Sequence, residues 1–214
     1  MGVDMSKYLT EFIGTFFLVL TVGLVVVGGI SMAPLAIGSS LMIMVYAGGH
    51  VSGAHYNPAV SLAVLLRGKL DSKDLLPYWM SQLAGALVAA VIVRAITGQT
   101  FAPTPAAEAS TLAALLIEVL YTFALALVVL QVATAKATAG NSYYGLAIGF
   151  TLATAVFAGG SVSGGAFNPA VGTGPTVIHA LMGDGGWGGL WLYLIGPLMG
   201  GALAAAVFKA QGTE

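Results

Sequence analysis

The residues best suited to chemistry in this chain are two asparagines, Asn57 and Asn168, which stand at equivalent places in a repeated stretch. Residues 46–60 read YAGGHVSGAHYNPAV and residues 157–171 read FAGGSVSGGAFNPAV, so that ten of fifteen positions are identical. In each copy the asparagine precedes Pro-Ala, a pattern typical of a helix N-cap followed by proline at the first helical position. The side-chain oxygen of such an asparagine caps the helix, and we expect its NH2 group to remain free to donate to a passing molecule.

The composition indicates a protein whose solvent is lipid. Of the 214 residues, 58% are hydrophobic and only 7% are charged, whereas a soluble domain carries about 25% charged residues. A formal net charge of -1 argues against a nucleic-acid partner. The chain has no cysteine, which excludes disulfides, thiol catalysis and cysteine-based metal sites, and nothing in it predicts a cofactor.

The apolar runs predict six transmembrane helices, three in each half of the chain. They cover approximately residues 8–30, 34–48, 75–96, 107–133, 143–158 and 187–208. Two further runs, 58–66 and 169–180, follow the Asn-Pro-Ala boxes. The first would rise only about 15 Å, half of a bilayer core of about 30 Å. The sequence therefore predicts an all-α membrane protein with six transmembrane helices and two re-entrant half-helices. We expect a single domain over 1–214, built from two repeats of about 1–100 and 101–214.

The repeats are expected to be inverted, because three spans per half make the two halves enter the membrane from opposite sides. Six of the seven lysines and arginines then fall on one side, and only Arg94 lies near the other. By the positive-inside rule, both termini are predicted to be cytoplasmic, in a multi-pass protein of the cell (inner) membrane. The half-helices would enter from opposite faces and bring their asparagines together near the midplane.

Broken backbone at membrane depth is tolerated where protein covers it or where it lines a water-filled cavity. We therefore expect backbone carbonyls in the two breaks to accept hydrogen bonds from permeating molecules. These carbonyls belong to Gly53, Ala54, His55, Tyr56, Gly164, Ala166 and Phe167. Two helix N-termini at the midplane would repel cations and protons, while neutral hydrogen-bonding molecules would pass.

The sequence resembles the major intrinsic proteins, or aquaporins, over nearly its whole length. The resemblance rests on the boxes Asn57-Pro58-Ala59 and Asn168-Pro169-Ala170, their Ser-Gly-x-x-x-Asn-Pro-Ala-Val context, and the Glu-x-x-x-Thr-Phe starts at Glu11 and Glu118. It implies a passive channel in each protomer of a homotetramer, with no enzymatic activity, and aquaporin pores are the established example of such proton exclusion. It also implies that Glu11 and Glu118 accept amides from the re-entrant loops. We expect His50 to anchor the first loop; the alternative is that it faces the cytoplasmic vestibule.

The resemblance also implies a four-residue outer constriction, at Ile37, Val156, Gly165 and Val171. Most members have arginine where this chain has Val171, and plant vacuolar members with a broad solute range share the valine. Glycerol-selective members usually have Arg-Asp where this chain has Val171-Gly172, so a dedicated glycerol facilitator is less expected. An apolar constriction predicts that water is joined by ammonia, urea, hydrogen peroxide or glycerol.

Two other functional classes are weighed against a channel. A secondary transporter can also use inverted repeats and broken helices, but it would need an ion-coupling site or charged substrate clamp at the midplane, where the sequence offers only asparagines and backbone. An intramembrane hydrolase is disfavoured because Gly-x-Ser-x-Gly is absent. The sequence assigns no partner to His179.

Overall fold

The computed structural model of the chain describes residues 5–212. Within that range all regular secondary structure is helical, which confirms the predicted class. The eight α-helices are α1 (Met5–Val27), α2 (Ala33–Ser52), α3 (Pro58–Leu66), α4 (Ser72–Thr97), α5 (Thr111–Ala133), α6 (Tyr144–Ser163), α7 (Pro169–Met182) and α8 (Leu190–Ala210), with a short 3-10 helix at Lys136–Thr138.

Six helices, all except α3 and α7, are long and apolar enough to cross a membrane. α3 has 9 residues and α7 has 14, which correspond to rises of about 14 Å and about 21 Å. Because six spans return the chain to the side on which it started, α1 begins and α8 ends on the same side. We call this the terminal side and the opposite one the distal side.

The helices before the two breaks are longer than predicted. α2 and α6 continue beyond residues 48 and 158 to Ser52 and Ser163. Each ends at a glycine in the left-handed region, Gly53 with φ 83° and Gly164 with φ 89°, whose N–H bonds to the carbonyl four residues earlier. Glycine adopts this conformation without the penalty that a Cβ would bring. The breaks therefore shorten to two matching turns, 53–57 and 164–168.

The starts of α4 and α5 also differ from prediction, because polar caps set them. Asp71 accepts a hydrogen bond from Lys73 N at 3.1 Å, so that α4 begins at Ser72 rather than 75. Ser110 accepts one from Ala113 N at 3.1 Å, so that α5 begins at Thr111 rather than 107. Apolar patterning alone does not reveal these ends.

The two halves of the chain interlock. Within each half, α1 packs on α2 and α4, and α5 packs on α6 and α8. The half-helices cross over, since α3 packs against α8 and α7 against α4. α2 and α6 meet at Gly38 and Gly149, where a Cβ on either glycine would come within 2.5 Å of the other's carbonyl oxygen. This packing places the turns 53–57 and 164–168 face to face in the centre of the molecule.

Candidate functional site: a pore between two half-helices

Asn57 and Asn168 cap the half-helices and also join them to each other. The side-chain oxygen of Asn57 accepts from Ala59 N at 2.9 Å, and that of Asn168 accepts from Ala170 N at 2.9 Å. The Asn57 Nδ2 donates to the carbonyl of Phe167 at 2.9 Å, and the Asn168 Nδ2 donates to that of Tyr56 at 2.8 Å. The expectation that each NH2 group is wholly free is therefore wrong. One hydrogen links the two turns, and the second remains for another acceptor.

Tyr56 and Phe167 play a different part from the one predicted. Their carbonyls accept the asparagine bonds, and neither residue lines the pore cavity described below. Both have φ of 49°, in the left-handed region, and their rings are buried. Non-glycine residues reach that region at a cost of about 1–2 kcal/mol. Their prediction as pore-lining acceptors is wrong, because neither residue borders the pore cavity and their carbonyls link the two halves instead.

The Glu11 carboxylate lies behind the first turn and holds it in place. One oxygen accepts from Ser52 Oγ at 2.7 Å and from His55 N at 2.9 Å. The other accepts from Tyr56 N at 2.7 Å and from Gln82 Nε2 at 2.8 Å. Glu11 is fully buried, and these four donors offset the cost of removing a carboxylate from water.

Glu118 repeats the arrangement behind the second turn with one donor fewer. It accepts from Ser163 Oγ at 2.7 Å, from Ala166 N at 3.0 Å and from Phe167 N at 2.7 Å. It is also fully buried. Because a buried amide without a partner costs about 1–3 kcal/mol, each glutamate stabilises a turn that its own backbone cannot satisfy.

His50 does not anchor the first loop. The continuation of α2 to Ser52 places it on the helix rather than in the turn, and its side chain is exposed. Within residues 5–212 it makes no side-chain hydrogen bond, and it borders a cavity on the terminal side together with Lys69 and Lys136. The expectation of an anchor is wrong, because His50 borders a cavity on the terminal side instead.

A narrow cavity, which we call the pore cavity, runs past the asparagine pair. Its walls are apolar side chains of the long helices, among them Leu18, Leu41, Leu125, Val129, Ile148 and Leu152. Among the described residues that line it, the polar side chains are those of His55, Asn57 and Asn168. Ala54 and Ala166 from the two turns complete the centre.

Gly53 and Gly164, which the sequence predicts as pore-lining, lie at the two entrances instead. Gly53 borders a cavity on the terminal side that also contains Asp71 and Asp74, which we call the terminal vestibule. Gly164 borders a cavity on the distal side, lined in part by residues 101–104, which we call the distal vestibule. The pore cavity therefore lies between two wider mouths.

Five residues border both the pore cavity and the distal vestibule, and together they form what we call the apolar ring. They are Val22, Ile37, Val156, Gly165 and Val171. The structure thus brings together the four residues predicted for an outer constriction and adds Val22 from the distal part of α1. Sequence reasoning missed Val22 because one valine in an apolar span looks the same whether it faces lipid or a pore. The side chains of the ring offer a permeant no hydrogen-bond partner.

The charged groups near the pore lie at the terminal vestibule. Asp74 accepts from Lys7 Nζ at 2.5 Å and from Tyr8 OH at 2.6 Å. The side-chain hydrogen bond from Lys73 is the main cause that lowers the pKa of Asp71 below its usual value, so this carboxylate stays ionised at neutral pH. In the described part of the chain, no group of His, Asp or Glu is arranged to hold a metal ion.

His179 connects α7 to the loop that follows α4. Its Nδ1 lies 2.8 Å from Thr100 Oγ1. The same loop reaches the second turn, where a Cβ on Gly164 would meet Thr104 N at 2.5 Å. The sequence did not show this contact, because Thr100 and His179 are 79 residues apart.

The family follows from comparison with known proteins. The family model described as Major intrinsic protein matches residues 3–208. This chain belongs to the major intrinsic protein family. It is therefore a multi-span integral membrane protein and a passive channel for water and small solutes, not an enzyme, as the sequence predicted.

Relatives and a solved structure agree with this assignment. The chain is 34% identical to "Glycerol uptake facilitator protein-like 6" of Lactiplantibacillus plantarum, over 98% of this chain and 100% of the relative. It is 38% identical to "Aquaporin NIP1-4" of Oryza sativa subsp. japonica, over 96% and 76%. The X-ray structure of the aquaglyceroporin from Plasmodium falciparum matches with a TM-score of 0.82 at 22% identity, over 95% of both chains, and shares the fold.

Proposed function

We propose that this channel conducts water together with small neutral solutes, namely ammonia, urea, hydrogen peroxide and glycerol. The observation that carries the proposal is the apolar ring, which includes Val171. The resemblance to the family implies that most members have arginine at this position. The ring has no cation and no fixed donor, so it does not select permeants by their hydrogen-bonding pattern. It also has no long side chain that would narrow its opening. Its selection then rests on size and on the cost of dehydration.

We further propose that ions and protons are excluded at the asparagine pair. The N-termini of α3 and α7 face each other there, and each carries the positive end of a helix dipole. The second hydrogen on each asparagine Nδ2 donates to the same water, so that both lone pairs of this water accept hydrogen bonds from the asparagines. Such a water cannot accept a proton from its neighbour, and the chain of proton transfer is interrupted.

The names of the relatives are consistent with a solute range that extends beyond water. One is called a glycerol uptake facilitator-like protein and another an aquaporin. Because the chain lacks the Arg-Asp pair at Val171-Gly172, we infer a general solute channel rather than one dedicated to glycerol.

The orientation and assembly are part of the same proposal. Lys7, Lys69, Lys73, Lys136 and Lys209 lie toward the terminal side, so we infer that this side is cytoplasmic and that the protein occupies the cell (inner) membrane. We also infer one channel domain over 1–214, made of inverted halves 1–100 and 101–214, and a homotetramer by analogy with the family.

The experiment that tests this function is solute flux into liposomes that contain the purified protein. Stopped-flow light scattering should show water, urea and glycerol permeabilities above those of empty liposomes, and an internal pH dye should show the same for ammonia. Flux should rise linearly with the gradient. If only water passes, the broad range is wrong. If flux saturates or follows a sodium or proton gradient, the channel itself is in doubt and a transporter is favoured.

A further inference from the structure

His55 is the one titratable side chain that borders the pore cavity within the described chain. It lies where that cavity meets the terminal vestibule, since it lines both. Its ring is 7% exposed and packs against Tyr78, with 5.1 Å between ring centroids. Its Nδ1 lies 3.1 Å from Ser61 Oγ, whereas its Nε2 has no hydrogen-bond partner within residues 5–212 and lies toward Gly53. What a permeant meets there depends on which ring nitrogen carries the hydrogen.

The donors and acceptors around Ser61 determine which nitrogen of His55 carries the hydrogen. Ser61 Oγ has three polar neighbours, which are His55 Nδ1 at 3.1 Å, Gln82 Nε2 at 3.0 Å and the carbonyl of Asn57 at 3.2 Å. The Gln82 amide is oriented by Glu11, because its Nε2 also donates to that carboxylate at 2.8 Å. The opposite orientation would place its oxygen against a carboxylate oxygen. Gln82 is therefore a donor to Ser61.

Only one assignment places a hydrogen in each of the three contacts. A carbonyl can only accept, so the single hydroxyl hydrogen of Ser61 goes to Asn57 O. The two lone pairs of Ser61 then accept from Gln82 and from His55, which requires the hydrogen to be on Nδ1. If Nδ1 were instead the acceptor, Ser61 Oγ and Asn57 O would face each other at 3.2 Å with no hydrogen between them.

We propose that Ser61 and Gln82 hold His55 in the Nδ1–H tautomer, so that its bare Nε2 is the side-chain acceptor of the pore. His55 is then a specificity-determining residue that favours permeants with N–H or O–H donors, and Ser61 and Gln82 are positioning residues. The inference rests on the proposed function in one respect, because it takes the pore cavity as the path of the permeant.

The second half of the chain offers no counterpart to this acceptor. Ala166 stands at the position equivalent to His55, and Gly172 at that equivalent to Ser61. A water at the asparagine pair accepts from the asparagines and directs its hydrogens away from them. On the terminal side of the asparagine pair, His55 Nε2 can accept a hydrogen bond from such a water. On the distal side, only backbone carbonyls can do so.

Solid-state NMR on protein in lipid bilayers tests the tautomer. The chain has three histidines, so a His50→Gln/His179→Gln variant with 15N-labelled histidine reports on His55 alone. Its native state is checked first by an unfolding temperature in detergent equal to that of the wild type. At mildly alkaline pH we expect one protonated nitrogen, Nδ1, and one unprotonated nitrogen, Nε2. A protonated Nε2 in this spectrum would overturn the proposal.

Ser61→Ala in the same background removes the group that fixes the tautomer, and a mixture with hydrogen on Nε2 is expected. Thr176→Ala is the matched control, because it deletes a buried hydroxyl from the other half-helix that bonds only to Gly172 O. Ser61→Thr keeps the hydroxyl and should restore the original spectrum. An unchanged tautomer in Ser61→Ala would overturn the role of Ser61.

The functional readout is urea and water permeability per channel for the same variants in the otherwise native chain. Complete loss of one pore hydrogen bond would lower urea flux about fivefold, so the tautomer mixture in Ser61→Ala is expected to lower it by up to that factor. Thr176→Ala should leave urea flux unchanged, and Ser61→Thr should restore it. A change of tautomer without any change in urea flux would overturn the claim that His55 Nε2 accepts a hydrogen bond from the permeant. Absence of flux in the wild type would instead refute the proposed function, because the NMR result does not depend on conduction.

Discussion

Val171→Arg places a charge in the apolar ring and is expected to lower both urea flux and any residual cation leak. Val171 is 6% exposed and follows Asn168 by one turn at the start of α7. It borders the distal vestibule, a wider mouth that leaves room for a longer side chain. We therefore expect the guanidinium to extend outward from the ring without displacing the asparagine pair.

The size of the electrostatic effect follows from this position. Three residues of helix correspond to roughly 5 Å along the axis, and the arginine side chain brings the charge to about 10 Å from the asparagine pair. At an effective dielectric constant of about 20, two unit charges at that distance repel by about 1.7 kcal/mol. A monovalent cation at the asparagine pair would therefore be roughly 15- to 20-fold less populated.

Liposomes loaded with a cation-sensitive dye measure the leak, and stopped-flow light scattering measures urea and water. Val171→Met is the matched control, because it enlarges the same side chain without a charge. We expect methionine to lower urea flux only, and arginine to lower urea flux and the leak while water still passes. An arginine variant with the leak of the methionine variant would refute the electrostatic reasoning. Unchanged urea flux in both would show that the ring is not the constriction.

Two further predictions concern stability and are measured by thermal unfolding in detergent. Glu118→Ala leaves the amides of Ala166 and Phe167 without their acceptor, whereas the Ser163 hydroxyl can still donate to the Gly159 carbonyl. We therefore expect the free energy of unfolding to fall by at least about 2 kcal/mol. The exposed loop variant Glu108→Ala is the control, and equal effects would contradict the role of the carboxylate. Gly38→Val forces a side chain onto the Gly149 carbonyl and should cost about 1–3 kcal/mol. Gly188→Val is the control and should leave the free energy of unfolding unchanged, because no atom lies within 4 Å of the added Cβ. Equal losses of stability in the two glycine variants would contradict the close crossing of α2 and α6.

The signals that sequence reasoning used correctly are local ones. Apolar runs and their lengths predicted six spans, and Asn-Pro placed the starts of α3 and α7 at Pro58 and Pro169. The ends of α2 and α6 were wrong because pairs such as Gly48-Gly49 suggest a break. In the structure the buried face of α2 carries Gly48 against Tyr56 and Thr10, and tertiary packing overrides the low helix propensity of glycine.

The contacts that sequence reasoning could not supply join distant parts of the chain. The bond from Asn57 to Phe167 spans 110 residues and that from Asn168 to Tyr56 spans 112. A repeat shows that two turns are alike, but not that each asparagine donates into the other turn. The carbonyls of Tyr56 and Phe167 were predicted as pore acceptors for that reason.

The pore is also less symmetric than its repeated sequence suggests, and we infer from this asymmetry where solutes are selected. The first turn is backed by Gln82, while Pro197 stands at the equivalent position of α8 and donates nothing to Glu118. The lining differs in the same way, because His55 places a polar side chain at the terminal end of the pore, whereas the distal end has only the apolar ring. A solute that enters the ring loses water without any side-chain compensation, so its barrier rises with the number of its hydrogen-bonding groups. On the proposed function, a solute that has passed the ring meets the asparagine donors and then the acceptor at His55. We therefore expect the main discrimination between solutes at the distal mouth.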